Sequence, residues 1–209
     1  DMATQKKLVE GFAHLSPDAV SVHNFGTFFV AREAGLHIHA DASFPVTNDW
    51  TLAALEELGI RRAVLSPELS LEQAGALAVR APFPVECIVE GNIELMVSEY
   101  CALGSFLGNA ASGTCSMPCC KGKKRYALLD RKGMKFPLVF DQACHMHVLN
   151  SKRLSMLLHA MEFAPRSISF LRIDGRFMEA AELGKRGRLY KEWSRFSGKL
   201  IKEQEKHLK

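Results

Sequence analysis

The sequence predicts an α/β fold, and three observations predict it. Short β-branched or apolar runs alternate with amphipathic stretches through the first ninety residues, and alternation of strand and helix means parallel strands. The pattern resumes after residue 150. Between the two, five of the six cysteines, Cys101, Cys115, Cys119, Cys120 and Cys144, crowd into 44 residues that also hold a hairpin pattern. A complete eight-unit barrel takes about 250 residues, and roughly five strand–helix units are visible here, so the expectation is a partial TIM-like (β/α) barrel with a cysteine-rich insertion and a β-hairpin. It is read as one incomplete domain over residues 1–209, with the insertion at about 97–146 and a basic C-terminal helix at about 185–209.

The elements follow in order. The first residues, DMATQKKLVEGFAHL, read as an amphipathic helix and not as a signal peptide. Strands are expected at AVSVHN, LHIHAD, RRAVLS and FPVECIVEG. Between them GTFFVAREAG, TNDWTLAALEELG and SLEQAGALAVRA repeat their apolar residues at helical spacing and end on Gly or begin on a capping Thr or Ser. YALLDRKGMKFPLVFD reads as two antiparallel strands turning at Arg131-Lys132-Gly133, and His145 and His147 alternate on a further strand. NSKRLSMLLHAMEFA is expected to be a helix and SISFLRIDG the strand after it.

In parallel α/β folds, function gathers at the carboxyl ends of the strands. Those ends carry His23-Asn24, Asp41, Ser66-Pro67-Glu68, and Arg172 with Asp174 and Arg176. Each also has a plain structural role. Asn24 can make a turn, Ser43 to Asn48 can cap a helix, Ser70 can cap the helix after Glu68, and Arg172, Asp174 and Arg176 can form a salt-bridged trio.

Composition bounds the function classes. With 47% hydrophobic and 24% charged residues the chain reads as globular. No apolar stretch approaches the roughly 20 residues that a bilayer span requires, so a cytoplasmic location is expected. The first residue is Asp1, which points to a processed product or a piece of a longer chain. The net charge of +4 is unevenly spread. Residues 121–135 hold seven basic side chains against Asp130, and residues 185–209 hold nine against three acidic ones. A basic focus beside the cysteines, with a second on the tail, suits an anionic partner such as RNA. A solvated lysine-rich helix explains the tail equally well.

Cysteine usage is the strongest clue to chemistry. Disulfide frameworks belong to short secreted chains, which leaves metal or redox chemistry. Cys87, inside the apolar FPVECIV, reads as a small core residue. The other five sit among Gly, Ser, Pro and Lys, where no apolar face would bury them. Three residues separate Cys115 from Cys119, with Cys101 and Cys144 reaching in from the flanks, a spacing that fits an iron-sulfur cluster. A zinc ribbon would favour CxxC knuckles, and there are none, which places zinc second. Spacing leaves open whether Cys119 or Cys120 is the ligand.

The ordered motifs HNFG, HADASFPVTND, GIRRAVLSPELSLEQ, IELMVSEYC, GTCSMPCC, YALLDRKGMKFPLVFDQACHMHVLNSKRL and SFLRIDGR resemble those of the collagenase-like peptidase family U32, from about Ser21 to Arg176. The resemblance implies a barrel. It also implies one of several activities, since members include proteins named as proteases and others that install hydroxyl groups on ribosomal or transfer RNA bases, or act in ubiquinone biosynthesis. In the hydroxylating branches four cysteines hold a 4Fe-4S cluster, and prephenate is implied as oxygen source for some RNA reactions. Carried over by motif, the ligands are Cys101 after SEY, Cys115, Cys119 and Cys144, while the doubled Cys119-Cys120 departs from the pattern. The family's amino-terminal barrel half has no counterpart here, which implies a truncated or split member that needs a partner chain.

Three functional classes follow. The first is an iron-sulfur protein acting in hydroxylation of RNA or a small aromatic precursor, guided by residues 121–135. The second is a collagenase-like peptidase, although no Ser-His-Asp set, HExxH motif or papain-like cysteine context can be assembled from the sequence. The third is a metal-stapled binding module without catalysis.

Overall fold

The computed structural model describes residues 2–109, 115–117, 119, 125–141 and 143–207, with the backbone alone at 2, 5, 194 and 196–207. In chain order the first elements are α1 (Met2–Ala13), β1 (Val20–Val22), α2 (Phe25–Glu33), β2 (Ile38–Ala40), α3 (Asp49–Glu57), β3 (Ala63–Val64), α4 (Leu71–Arg80) and β4 (Val85–Gly91). Next come β5 (Glu94–Ser98), α5 (Ala102–Leu107), β6 (Tyr126–Leu129), β7 (Lys135–Phe140), β8 (Met146–Leu149) and β9 (Leu154–Ser155). The last are β10 (Phe170–Ile173) and α6 (Ala180–His207). The chain divides into two compact units, Asp1–Val89 with Met156–Lys209, and Glu90–Ser155.

The first unit is a mixed α/β fold built on a sheet of order β1-β2-β3-β4-β10, in which β1 to β4 run parallel. The helices start where side chains satisfy their first N–H groups. Asn24 accepts from Thr27 N at 2.8 Å and Asn48 from Thr51 N at 2.9 Å, and Ser70 with Gln73 forms a reciprocal capping box before α4. Strand register then sorts the two faces. Val22, Ala40, Ala63 and Val85 are paired side by side across the sheet and are essentially sealed from solvent. They join Phe28, Leu52, Leu55 and Leu77 from the helices in one core. Ser21, His39, Arg62 and Glu86 fall on the alternate positions, with Val64 beside Glu86, so the opposite face carries the charged and polar groups.

Cys87 packs against this core, and burial, with the neighbouring Glu86 carboxylate, pushes its thiol up to about 12. It is an inert packing residue.

One expected element is replaced. Residues 150–164 do not form an α-helix: Leu154–Ser155 pairs antiparallel with Glu90–Gly91, and Leu157–Glu162 and Ala164–Arg166 are short 3-10 turns. The helical spacing of its apolar residues misleads because the backbone finds better partners elsewhere. Ser155 Oγ donates to Glu90 at 2.7 Å, and Met156 N donates to Val89 O at 2.8 Å and lies 3.2 Å from the Tyr190 hydroxyl. Pro165 then interrupts any longer helix. Ala160 and Phe163 are buried in the core while Leu158 is 91% exposed.

The second unit is a four-stranded antiparallel sheet of order β5-β8-β7-β6. The β6–β7 hairpin turns where its Gly places it. Asp130 Oδ1 accepts from Lys132 N and Met134 N, both at 2.8 Å, and Gly133 takes φ 78, a left-handed conformation natural to glycine.

Candidate metal centre

The antiparallel ladder of the second unit places two of the cysteines, Cys101 and Cys144. β5 runs toward Cys101, which follows its last residue by three positions, and β8 begins two positions after Cys144. In the register Ser98 faces Met146, so Cys101 and Cys144 leave the same end of the β5–β8 pair. Residues 101 and 144 are 43 apart in sequence, and strand pairing alone brings their backbones to one edge.

Cys101 is the N-cap of α5, and its Sγ accepts from Gly104 N at 3.2 Å. Cys115 is held over the same helix, because Ser116 N donates to Gly108 O at 2.7 Å, and its own Sγ accepts from Met117 N at 3.3 Å. The two sulfurs converge on Gly104. Each lies 3.4 Å from the point a Cβ on Gly104 would occupy, so they are at most 6.8 Å apart, twice that distance. Gly108, one turn further on, admits no side chain at all: a Cβ there would meet Cys115 Sγ at 2.8 Å and Gly104 O at 2.7 Å. Two converging sulfurs, a helix face stripped of side chains beneath them and a backbone N–H aimed at each are what a thiolate-held group requires.

Cys144 sits in the turn between β7 and β8, exposed, with φ 65. Asp141 shapes that turn. Its Oδ1 accepts from Ala143 N at 2.9 Å and His145 N at 2.8 Å, and its Oδ2 meets His145 Nδ1 at 2.7 Å. His147 Nε2 lies 3.6 Å from the same oxygen, and His147 Nδ1 contacts Glu94 Oε2 at 2.8 Å. Burial acts to raise the Asp141 carboxyl, but the hydrogen bonds from the His145 ring and backbone, together with the charge of His145 and the His147 bond, outweigh it and hold the group at about 2.

Of the sequence-derived ligands, the structure brings Cys101 and Cys115 together and directs Cys144 to the same sheet edge. Cys119 is half-buried in a turn, and Cys120 lies outside the described residues, as does the 121–124 part of the basic stretch. Among the described residues no three His, Cys, Asp or Glu side chains form a ready-made metal cage. Arg125, Arg131, Lys132 and Lys135 are exposed on the hairpin of the same unit. Sequence reasoning did not single out Gly104, Gly108 or Asp141. The glycines were legible as positions three and seven after Cys101 on one helical face, and Asp141 as the first residue of an Asx turn ahead of a cysteine.

The first unit carries a separate polar group on its sheet. Arg172 on β10 donates from Nε to Glu86 Oε1 and from Nη1 to Asp41 Oδ2, the latter at 2.6 Å. Arg62 donates to Glu86 Oε2, and its guanidinium lies 3.5 Å from the centre of the Phe170 ring. Ser21 Oγ donates to Asp41 at 2.7 Å and Ala42 N to its other oxygen at 2.7 Å. Burial pushes the Asp41 carboxyl up, but the bonds from Arg172, Ser21 and Ala42 more than offset it and hold it below the usual carboxylate range. Burial, then the charge of Arg62, holds His39 below the ordinary histidine value. The expected trio of Arg172, Asp174 and Arg176 is therefore divided: Arg176 alone bridges Asp174, at 2.6 Å, while Arg172 turns inward to two carboxylates that the alternation of the strands places beside it.

These features define a mixed α/β protein with a parallel sheet and a cysteine-bearing antiparallel unit. The chain belongs to peptidase family U32, whose sequence model matches residues 1–205. It is 28% identical over 183 residues to an uncharacterized protease of Methanocaldococcus jannaschii, covering 84% of this chain and 43% of the relative. It is 26% identical over 198 residues to tRNA hydroxylation protein P of Helicobacter pylori, covering 90% of this chain and 47% of the relative. The protein of the same name in Escherichia coli is 27% identical over 110 residues, 50% of this chain and 24% of the relative. The chain thus spans under half the length of the curated relatives it matches. No solved structure matches it.

Proposed function

We propose that this chain is the cluster-bearing part of an iron-sulfur protein of the RNA-hydroxylating kind, with Cys101, Cys115, Cys119 and Cys144 as ligands of a 4Fe-4S cluster. The observation that carries the reading is the convergence of the Cys101 and Cys115 sulfurs on Gly104, with Gly108 leaving no room for a side chain. The relatives named as tRNA hydroxylation proteins support RNA as the substrate class. When bound, such a cluster exchanges single electrons. The residues of this chain would hold it: the N–H groups of Gly104 and Met117 offset negative charge on the sulfurs of Cys101 and Cys115, and the Asp141 turn presents Cys144. Arg125, Arg131, Lys132 and Lys135, with Lys185, Arg188, Lys191 and Arg195 on α6, would meet the RNA backbone. The parallel sheet is read as part of a (β/α) barrel, and among the described residues no helix is long and apolar enough to cross a membrane.

Protein purified without oxygen is expected to be brown and to contain iron and acid-labile sulfide, with the iron content lowered on replacing Cys101, Cys115, Cys119 or Cys144 by Ser. A colourless protein holding one zinc would sink the cluster assignment. Binding to single-stranded RNA should weaken steeply with salt, with a slope in log–log form of about −0.7 per phosphate contacted. A salt-independent affinity would remove the basic segments from the interface.

The name of the Methanocaldococcus relative raises the peptidase reading. Ser21, His23 and Asp41 do meet in the first unit, but Ser21 Oγ donates to Asp41, which Arg172 already engages, and His23 Nε2 lies 3.7 Å from that carboxylate. A serine nucleophile needs its hydroxyl on the histidine, so this trio is not a nucleophile–base pair.

A further inference from the structure

The Cys144 turn is built in a way that packing does not explain. A residue at φ 65 costs about 1–2 kcal/mol when it carries a Cβ, which is why glycine or asparagine usually stands at such a position. Here a cysteine stands there, and its side chain is exposed, so no burial offsets the cost. The conformation is instead held by one neighbour. Asp141 receives the N–H groups of Ala143 and His145 on Oδ1, receives Cys144 N at 3.2 Å on its backbone carbonyl, and donates its own N–H to His145 O at 3.2 Å. Its second oxygen binds the His145 ring at 2.7 Å and stands 3.6 Å from the His147 ring, which is itself held by Glu94 on the neighbouring strand. The turn is therefore pinned from inside by Oδ1 and fastened to the β5–β8 ladder through Oδ2.

We infer that Asp141 is the positioning residue for the Cys144 thiolate: both of its oxygens act to fix this turn so that the sulfur faces the other cysteines at the shared sheet edge. The inference rests on the cluster reading above and goes beyond it, because Asp141 is not among the proposed ligands and would act through the loop. Groups that orient a metal ligand from behind change metal retention without being ligands themselves. His145, next to Cys144, is given its orientation by the same carboxylate and belongs to the support rather than to the ligand set.

The test uses the whole chain loaded with iron and sulfide without oxygen, in four forms: wild type, Asp141→Asn, Asp141→Ala and Cys144→Ser. Asparagine preserves volume and the Oδ1 acceptor but cannot accept from the histidine rings with its amide nitrogen. Asp141→Asn is expected to fold as the wild type by circular dichroism and to lose iron to a chelator about 10-fold faster. Asp141→Ala is expected to match Cys144→Ser, retaining about three irons in place of about four and showing the electron paramagnetic resonance signal of a three-iron cluster after oxidation. A wild-type chain that takes up no iron overturns the cluster reading itself. An iron-loaded wild type whose Asp141→Asn form has the same stripping rate and spectrum overturns the role of Asp141 alone, and that comparison decides the matter even if Asp141→Ala does not fold. A Cys144→Ser form indistinguishable from wild type also overturns it, by removing the ligand to be positioned.

Discussion

Gly108→Ala is expected to abolish most iron loading, to the level of Cys115→Ser, while leaving every cysteine in place. The reason is steric and local. A methyl group at residue 108 would stand 2.8 Å from Cys115 Sγ, 2.8 Å from Gly104 Cα and 2.7 Å from Gly104 O. Two of those three atoms are backbone of the same short helix and cannot step aside, so the relief must come from the segment carrying Cys115. Moving that segment breaks the 2.7 Å hydrogen bond from Ser116 N to Gly108 O that docks it. Overpacking of this kind costs about 1–3 kcal/mol, which the fold survives but the sulfur geometry does not. Gly104→Ala is the graded companion: its methyl would sit 3.4 Å from both sulfurs, in ordinary contact, and a partial loss of iron is expected. Iron and sulfide assays with circular dichroism check both. A Gly108→Ala protein that loads as the wild type does would show that the glycine face of α5 plays no part in the site.

Much of this arrangement was legible before any coordinate. Local patterns carried the parallel units, because Asn48 and Ser70 cap where a helix must start and because Val22, Ala40, Ala63 and Val85 recur at the buried position of each strand. The hairpin turn at Gly133 was equally local. What the sequence could not disclose depends on pairing between distant residues. Residues 150–164 keep helical spacing, yet Glu90 and Val89, some 65 positions earlier, capture their backbone and side chains. The cysteines were visible as a set, whereas the approach of Cys101 and Cys144 at one end of β5–β8 depends on the Ser98–Met146 register. Arg172 was expected to look toward Asp174, its close neighbour in sequence, and it turns instead to Asp41 and Glu86, 131 and 86 positions away.

That inward turn of Arg172 sets up the second large effect, on stability. Arg172→Leu removes the guanidinium that both carboxylates share, and the side chains of Asp41 and Glu86 are only 9% and 3% exposed. Arg62 still holds one oxygen of Glu86, so Asp41, left with Ser21 and the Ala42 N–H, bears most of the loss. Stranding a buried charge costs roughly 3–5 kcal/mol. At about 2–4 °C per kcal/mol for a domain of this size, the melting temperature should fall by roughly 10 °C near neutral pH. The pH dependence carries the diagnostic sign. In the wild type the folded Asp41 carboxyl is held below its unfolded value, so its contribution is present above the unfolded value of about 3.9 and is lost as pH falls through the lower, folded one. Without Arg172 the hydrogen bond and charge that lower the Asp41 carboxyl are gone while burial still raises it, so its folded value moves up and the variant loses less stability than the wild type as pH falls through the carboxylate range. The gap between wild type and variant should therefore be widest near pH 7 and narrow once the pH falls below about 4. Thermal melts at about pH 7 and about pH 3.5 measure it. An equal gap at both values would mean that Arg172 stabilises the sheet by packing its stem and not by neutralising Asp41 and Glu86.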